Sequence, residues 1–174
     1  MPEEFFDLVD ENNNLLGVTK SRSQVHKDGD WHRTVHMYVC NEKGEYLVHL
    51  RSKDKDLHPN KWSACFGGHV RTGAGYDQTV VTELYEEIGL QVPIHDFTPG
   101  KIHSYDGATN REFVKIYYYT YTGDIKGLRF NDNEVVEVKW MTPVNINNVY
   151  EKDPSLWTPS TKRFSDRIFE ATNL

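Results

Sequence analysis

Between Gly67 and Leu90 the chain reads GGHVRTGAGYDQTVVTELYEEIGL, and this stretch constrains the architecture more than any other. Val80, Val81, Leu84 and Ile88 recur at the spacing of one helix face, and Gly89 is the residue type that ends a helix in the left-handed conformation. The pattern predicts an amphipathic helix over 77–88 that must lay its apolar stripe on a sheet or on other helices. Glu83, Glu86 and Glu87 stand at i, i+3 and i+4, so they project together, mostly off the apolar stripe. When solvated, like charges at this spacing repel by only about 0.2–0.5 kcal/mol per pair. Two readings therefore stand: a solvated acidic face, or a cluster neutralised by Mg²⁺ or Mn²⁺, hard cations that favour carboxylate oxygens and share their remaining positions with water and substrate phosphates.

The rest of the chain supplies strands for that helix to cover. Phe5–Val9 and Leu15–Thr19 flank the turn formers Glu11–Asn14 and read as an opening β-hairpin. Residues 33–40 and 45–50 flank a turn at Asn41–Gly44, and a short strand is expected near Ser63–Phe66. Strands are also expected over Phe113–Tyr121 and Glu134–Met141, with a closing helix over Thr161–Ala171 that turns Phe164, Ile168 and Phe169 inward. The class is α/β of the mixed, α+β kind. A length of 174 residues suits a single domain with its own core. A formal charge of −6 argues against a sequence-independent nucleic-acid binder, which needs basic surface to displace counterions. The two cysteines, Cys40 and Cys65, form no disulfide framework, the acidic start lacks a leader pattern, and eighteen apolar residues never follow one another. A cytoplasmic protein without a membrane span is the expectation.

From Gly68 to Leu90 the chain resembles the Nudix box, GX5EX7REUXEEXGU with U aliphatic, matching it at Gly68, Glu83, Leu84, Glu86, Glu87, Gly89 and Leu90. Two positions depart: Ala74 stands at the first glutamate and Thr82 at the arginine. In the family that arginine helps to orient the neighbouring glutamate, so Thr82 bears on how Glu83 is positioned. The opening hairpin, the spaced histidines, the loop RSKDKDLHPNKW and the segment NEVVEVKWM extend the resemblance over nearly the whole chain, towards the branch that includes isopentenyl-diphosphate isomerases and related Nudix hydrolases. The resemblance implies a Nudix fold, a mixed β-sheet sandwiched between helices. One Nudix domain would span 1–174, with the N-terminal hairpin and lead-in over 1–30 and the box over 67–90.

The resemblance also implies a site. Glu83, Glu86 and Glu87 would hold Mg²⁺ or Mn²⁺ beneath the loop backbone of Gly67 and Gly68, and Glu86, Glu87 or Glu134 would serve as catalytic base. Arg51 and Lys55 match positions that contact a diphosphate, a role suited to a forked guanidinium and a point ammonium. His26, His32, His69 and Glu112 fall where isomerases hold a second metal, with Asn110 at the fifth position. Isomerases carry a cysteine where this chain has Gly67. Cys65, two residues upstream, would be displaced by roughly 6–7 Å along a strand, and it reads as a core residue. Trp62, Trp140 and Trp157 read as core or pocket wall. Three functions follow: a metal-dependent hydrolase of a nucleoside diphosphate-linked small molecule, an isopentenyl-diphosphate isomerase, or a catalytically silent ligand-binding domain. The expected partner is a small diphosphate compound, with no nucleic-acid polymer and no membrane, and a homodimer is left open.

Overall fold

A computed structural model describes the backbone of residues 3–55, 57–107, 110–131 and 133–171, with side chains as far as Ile168. Strands β1 (Phe5–Val9) and β2 (Leu15–Ser21) form the opening hairpin. In its turn the Asp10 carboxylate accepts the N–H groups of Asn12 and Asn14 at 2.8 Å. Helix α1 (Arg22–Asp28) follows at once, started by the Ser21 hydroxyl, which accepts the Gln24 N–H, and stopped by Gly29 at φ 70°. It buries only Val25, too little apolar surface to leave a helical period in the sequence, and so it was not anticipated there.

The main sheet contains β3 (Trp31–Cys40), β4 (Tyr46–Arg51), β5 (Trp62–Ser63), β6 (Thr98–Asp106), β7 (Arg111–Thr120) and β8 (Val135–Met141). Its order is β5-β4-β3-β7-β6, with β8 paired to β4. β3 and β7 run parallel in register from Trp31 opposite Arg111 to Cys40 opposite Thr120, while the other pairings are antiparallel, so the sheet is mixed. Strand alternation divides the core. Val35, Met37 and Val39 of β3 pack with Val80, Leu84 and Ile88 of α2 (Tyr76–Ile88). Tyr38 packs on the opposite face with Val48, Ile116, Ile146 of α3 (Pro143–Lys152) and Phe164 of α4 (Phe164–Ala171). The sheet is thus sandwiched between helices, as the sequence implied.

Helix α3 and strand β6 were likewise not anticipated. α3 is capped by Thr142 and begins with Pro143, but it is rich in asparagine and buries Ile146 alone. β6 is an exposed strand, interrupted by a bulge between Pro99 and Ile102, with no clean alternation to mark it. The side chain of Phe169, expected to face inward, lies outside the described residues. Among the described residues, no helix is long and apolar enough to cross a membrane.

The strip Phe66–Val70 is what carries the site. It lies antiparallel along β3, with Val35 N–H donating to Gly68 O, Met37 N–H to Phe66 O and Val70 N–H to Arg33 O, each at 2.9 Å. Gly67 holds a φ of 147°, and a Cβ there would be driven into the Val35 carbonyl. Gly44, at φ 73° in the β3–β4 turn, has open space around the equivalent point. Gly44→Ala should therefore lose about 1 kcal/mol from the left-handed backbone alone. Gly67→Ala should lose more than about 2 kcal/mol, because backbone overlap adds to it; urea unfolding midpoints compare the two, and equal losses would contradict this packing.

Candidate active site

α2 begins after Gly75, and its first-turn Asp77 accepts the Tyr117 hydroxyl at 2.5 Å, which fixes the rotation of the helix against β7. That rotation separates the three glutamates. Glu87 is 1% exposed and accepts the Gly67 N–H at 3.1 Å. Glu83 reaches under the same strip, where its carboxyl group presses so close to Gly68 that a Cβ would collide with its carbon and both oxygens. Glu86 remains partly exposed, 3.8 Å from the Arg71 guanidinium. The expectation that the three project together, mostly off the packed stripe, is corrected for Glu87, which is buried on the core side of the helix, while Glu86 stays partly exposed.

The electrostatics follow from that burial. The Glu83 carboxyl is pushed up to about 8, first by loss of water and then by the charge of Glu86, with Glu134 and Glu4 adding to it and Arg71 opposing. Glu134 immediately precedes β8, whose pairing with β4 brings Val135 opposite Arg51. Its side chain is ion-paired with Lys55, and its carbonyl accepts the Ser52 N–H at 2.8 Å. Lys55 therefore has a carboxylate partner in this structure. Arg51 donates to the carbonyls of Leu57 at 2.9 Å and His58 at 3.3 Å, bracing its own loop. The structure thus engages both cations that the sequence suggested for a diphosphate with groups of the protein itself.

The histidines come together from three elements. His26 of α1, His32 of β3 and His69 of the glycine strip each offer a ring nitrogen, and these atoms lie within 4.8 Å of one another. Glu112, set beside His32 by the β3–β7 register, places its Oε1 3.8 Å from His32 Nε2 and 4.0 Å from His69 Nε2. Phe6 stacks on His69 at 4.6 Å and on His32 at 5.6 Å, walling one side. Among the described residues the Nε2 atoms of all three histidines are buried without a hydrogen-bond partner, as is Asn110 Oδ1. Loss of water holds each imidazole below its usual range, and their mutual repulsion adds to this for His26 and His69. Three imidazoles beside the Glu112 carboxyl group are a donor set that fits a divalent transition ion, and the ring nitrogens without a partner among the described residues are the observation that supports the fit.

Several site residues were not singled out in the sequence. Arg71 and Glu4 meet across 67 positions of chain, and only folding reveals the pair. His36 hydrogen-bonds the Cys65 thiol. Burial disfavours the thiolate, yet the charge and hydrogen bond of His36 outweigh it and bring the thiol down to about 7. Cys65 is buried, as expected of a core residue, and Ser160 lies at 3.6 Å from its sulfur. His49 is buried against Phe66 with both ring nitrogens unpartnered among the described residues, a polar group that strand alternation alone would assign to the core.

The family model of the NUDIX domain matches residues 30–162. The chain is similar to Nudix hydrolase 3 of Arabidopsis thaliana, 31% identical over 91% of this chain but only 22% of that protein. It is 32% identical to an uncharacterized Nudix hydrolase of Clostridium acetobutylicum, over 78% of this chain and 68% of the other. A more distant similarity, 23% identical over 91% of this chain and 87% of the other, is to the isopentenyl-diphosphate Delta-isomerase of Klebsiella pneumoniae. Among solved structures, a protein of Deinococcus radiodurans superposes with a TM-score of 0.67 and 25% identity, covering 85% of this chain and 90% of its own. The box residues lie where loop, helix and sheet bring them together, and the chain belongs to the Nudix hydrolase family.

Proposed function

We propose that this chain is a Mg²⁺- or Mn²⁺-dependent hydrolase that cleaves a diphosphate bond in a nucleoside diphosphate-linked or related small molecule. The observation that carries the reading is the crowding of Glu83 and Glu87 beneath two glycines with Glu86 beside them, so close that the Glu83 carboxyl is pushed up to about 8 by loss of water and by the charge of Glu86. Crowding carboxyl groups together away from water is unfavourable, and a divalent cation is the partner that oxygen donors of this kind accept. Glu83, Glu86 and Glu87 would hold it. A bound Mg²⁺ or Mn²⁺ supplies neutralisation of the diphosphate oxygens and activation of the attacking water.

The protein's own groups supply orientation and proton transfer. The Gly67 N–H fixes one oxygen of Glu87, so that this side chain is set before substrate arrives. Glu86 is the most accessible of the three and is our choice for the base that accepts the proton of the attacking water. Glu134 is the second candidate; its carboxylate is ion-paired with Lys55, and exchange of that partner for substrate would release it. The buried histidines support a second reading, an isopentenyl-diphosphate isomerase with a metal at His26, His32, His69 and Glu112. Gly67 opposes it, because the folded backbone at this position leaves no room for the β-carbon of a cysteine. Incubation with isopentenyl diphosphate in deuterated water separates the two: deuterium in the dimethylallyl product would replace the hydrolase reading.

Two outcomes are expected. With Mg²⁺ or Mn²⁺, a panel of nucleoside diphosphate sugars, dinucleoside polyphosphates and coenzyme A should yield cleaved products by mass spectrometry, and Glu86→Gln should lower turnover by about 100-fold or more; full activity in that variant would remove Glu86 from the mechanism. The second concerns pH. The folded chain holds the Glu83 proton up to about 8, whereas unfolded glutamates titrate near about 4.3. Its raised value therefore stabilises the metal-free protein fully below the unfolded value, and that contribution is lost as pH rises through about 8. Melting temperatures of metal-free protein measured from about pH 5 to about pH 9 should fall more steeply for wild type than for Glu83→Gln. Parallel curves would show that Glu83 ionises freely.

A further inference from the structure

We propose that Arg71, clamped by Glu4 at the start of the N-terminal hairpin, is the positioning residue of the carboxylate site, holding Glu86 from outside the helix. The inference rests on the reading of Glu83, Glu86 and Glu87 as the metal-binding group.

The helix itself offers no cation at the relevant place. Thr82, beside Glu83, donates its hydroxyl back to the Gln78 carbonyl at 3.0 Å. Ala74 and Thr82 line one cavity of about 330 Å³, with Arg71, Gln78 and Glu83 also in its wall. The side of Glu83 where a larger pair of side chains would fit is therefore open, and the guanidinium enters from the loop.

The loop is held by the hairpin at every residue from 71 to 73. Arg71 bridges to Phe6, Thr72 N–H donates to the Phe5 carbonyl at 2.8 Å, and Gly73 N–H donates to the Asp7 carboxylate at 2.9 Å. The side chain is fixed in turn. Arg71 Nε and Nη2 each lie 2.9 Å from Glu4 Oε1, and the other Glu4 oxygen accepts from Arg22 at 2.8 Å. With Nε and Nη2 both directed to Glu4, the guanidinium stands at a set orientation 3.8 Å from Glu86 Oε2.

The Arg71–Glu86 pair is half in solvent, and exposed pairs of this kind contribute about 0–1 kcal/mol to stability. Its consequence is geometric. A carboxylate crowded by Glu83 is drawn toward a fixed cation, which selects one direction for the ligand before any metal binds, and partners of this kind typically alter metal affinity or activity by about 10–100-fold.

Manganese binding to the full chain, followed by the electron paramagnetic resonance of free Mn²⁺, tests this without needing the substrate. Charge alone predicts opposite effects, since removing the Arg71 cation favours Mn²⁺ while removing the Glu4 anion disfavours it. Positioning predicts that Arg71→Gln and Glu4→Gln both weaken binding, by about tenfold or more. The double variant should then be no weaker than either single one, because the two residues act as one unit. Adding Ala74→Glu with Thr82→Arg to Arg71→Gln should recover most of the affinity by filling the cavity from within the helix, and Thr82→Arg alone should recover less. Melting temperatures of the single variants should stay close to wild type. Opposite shifts, unchanged affinity, or no recovery from the pair at 74 and 82 would overturn the inference while leaving the hydrolase reading in place. A wild-type chain that takes up no Mn²⁺ would overturn both.

Discussion

The pairing of Phe66–Val70 with β3 is the constraint on which both candidate centres depend. A strand pressed that close to its neighbour turns alternate residues to opposite sides, so one short strip serves two sites. The Gly67 N–H holds Glu87, the missing side chain of Gly68 makes room for Glu83, and His69 joins the histidine cluster. Were either glycine given a side chain, the overlap would fall on the Val35 backbone in one case and on a buried carboxyl group in the other. Neither is a flexible surface atom able to yield cheaply.

The two centres differ in chemistry. The carboxylate group offers oxygen donors, the kind that a hard cation prefers. In the histidine group burial disfavours protonation of the imidazoles, and its nitrogen donors suit a softer ion. Glu112 contributes the carboxylate to that second group through the parallel register of β3 and β7, which sets residue 112 beside residue 32. Conversion of one chemistry into another within the same fold would then turn on few residues, with position 67 foremost because its backbone conformation excludes a cysteine.

The opening hairpin contributes more than a covering of apolar surface. Its strand β1 supplies Phe6 to the wall of the histidine group, and Phe5 and Asp7, with Glu4 just before the strand, to the loop that leads into α2. The same few residues thus touch both centres. This arrangement accompanies the departures at Ala74 and Thr82, which leave a cavity where the box pattern places two long charged side chains.

What could be read from the sequence was local and periodic. The apolar repeat and terminal glycine of α2 follow from 3.6 residues per turn, and the hairpins follow from turn formers between β-rich runs, so these elements were legible residue by residue. The glutamates and the spaced histidines were legible as groups of metal-ligating type, and the fold brings His26, His32 and His69 together. Short elements with little buried surface, such as α1 and α3, left no period to find. Nor does periodicity fix the rotation of a helix against its sheet: Glu87 turned out to be buried while Glu86 was not, and Tyr117 bonding to Asp77 helps to set that difference. The partners of Arg51, Lys55 and Arg71 were equally undetermined, because contacts between residues far apart in the chain depend on register and packing. By itself the sequence determined which elements form and which donor types are available; the tertiary structure alone decided which charges are buried, which are already paired and which face one another, since desolvation and Coulomb interactions act through space and not along the chain.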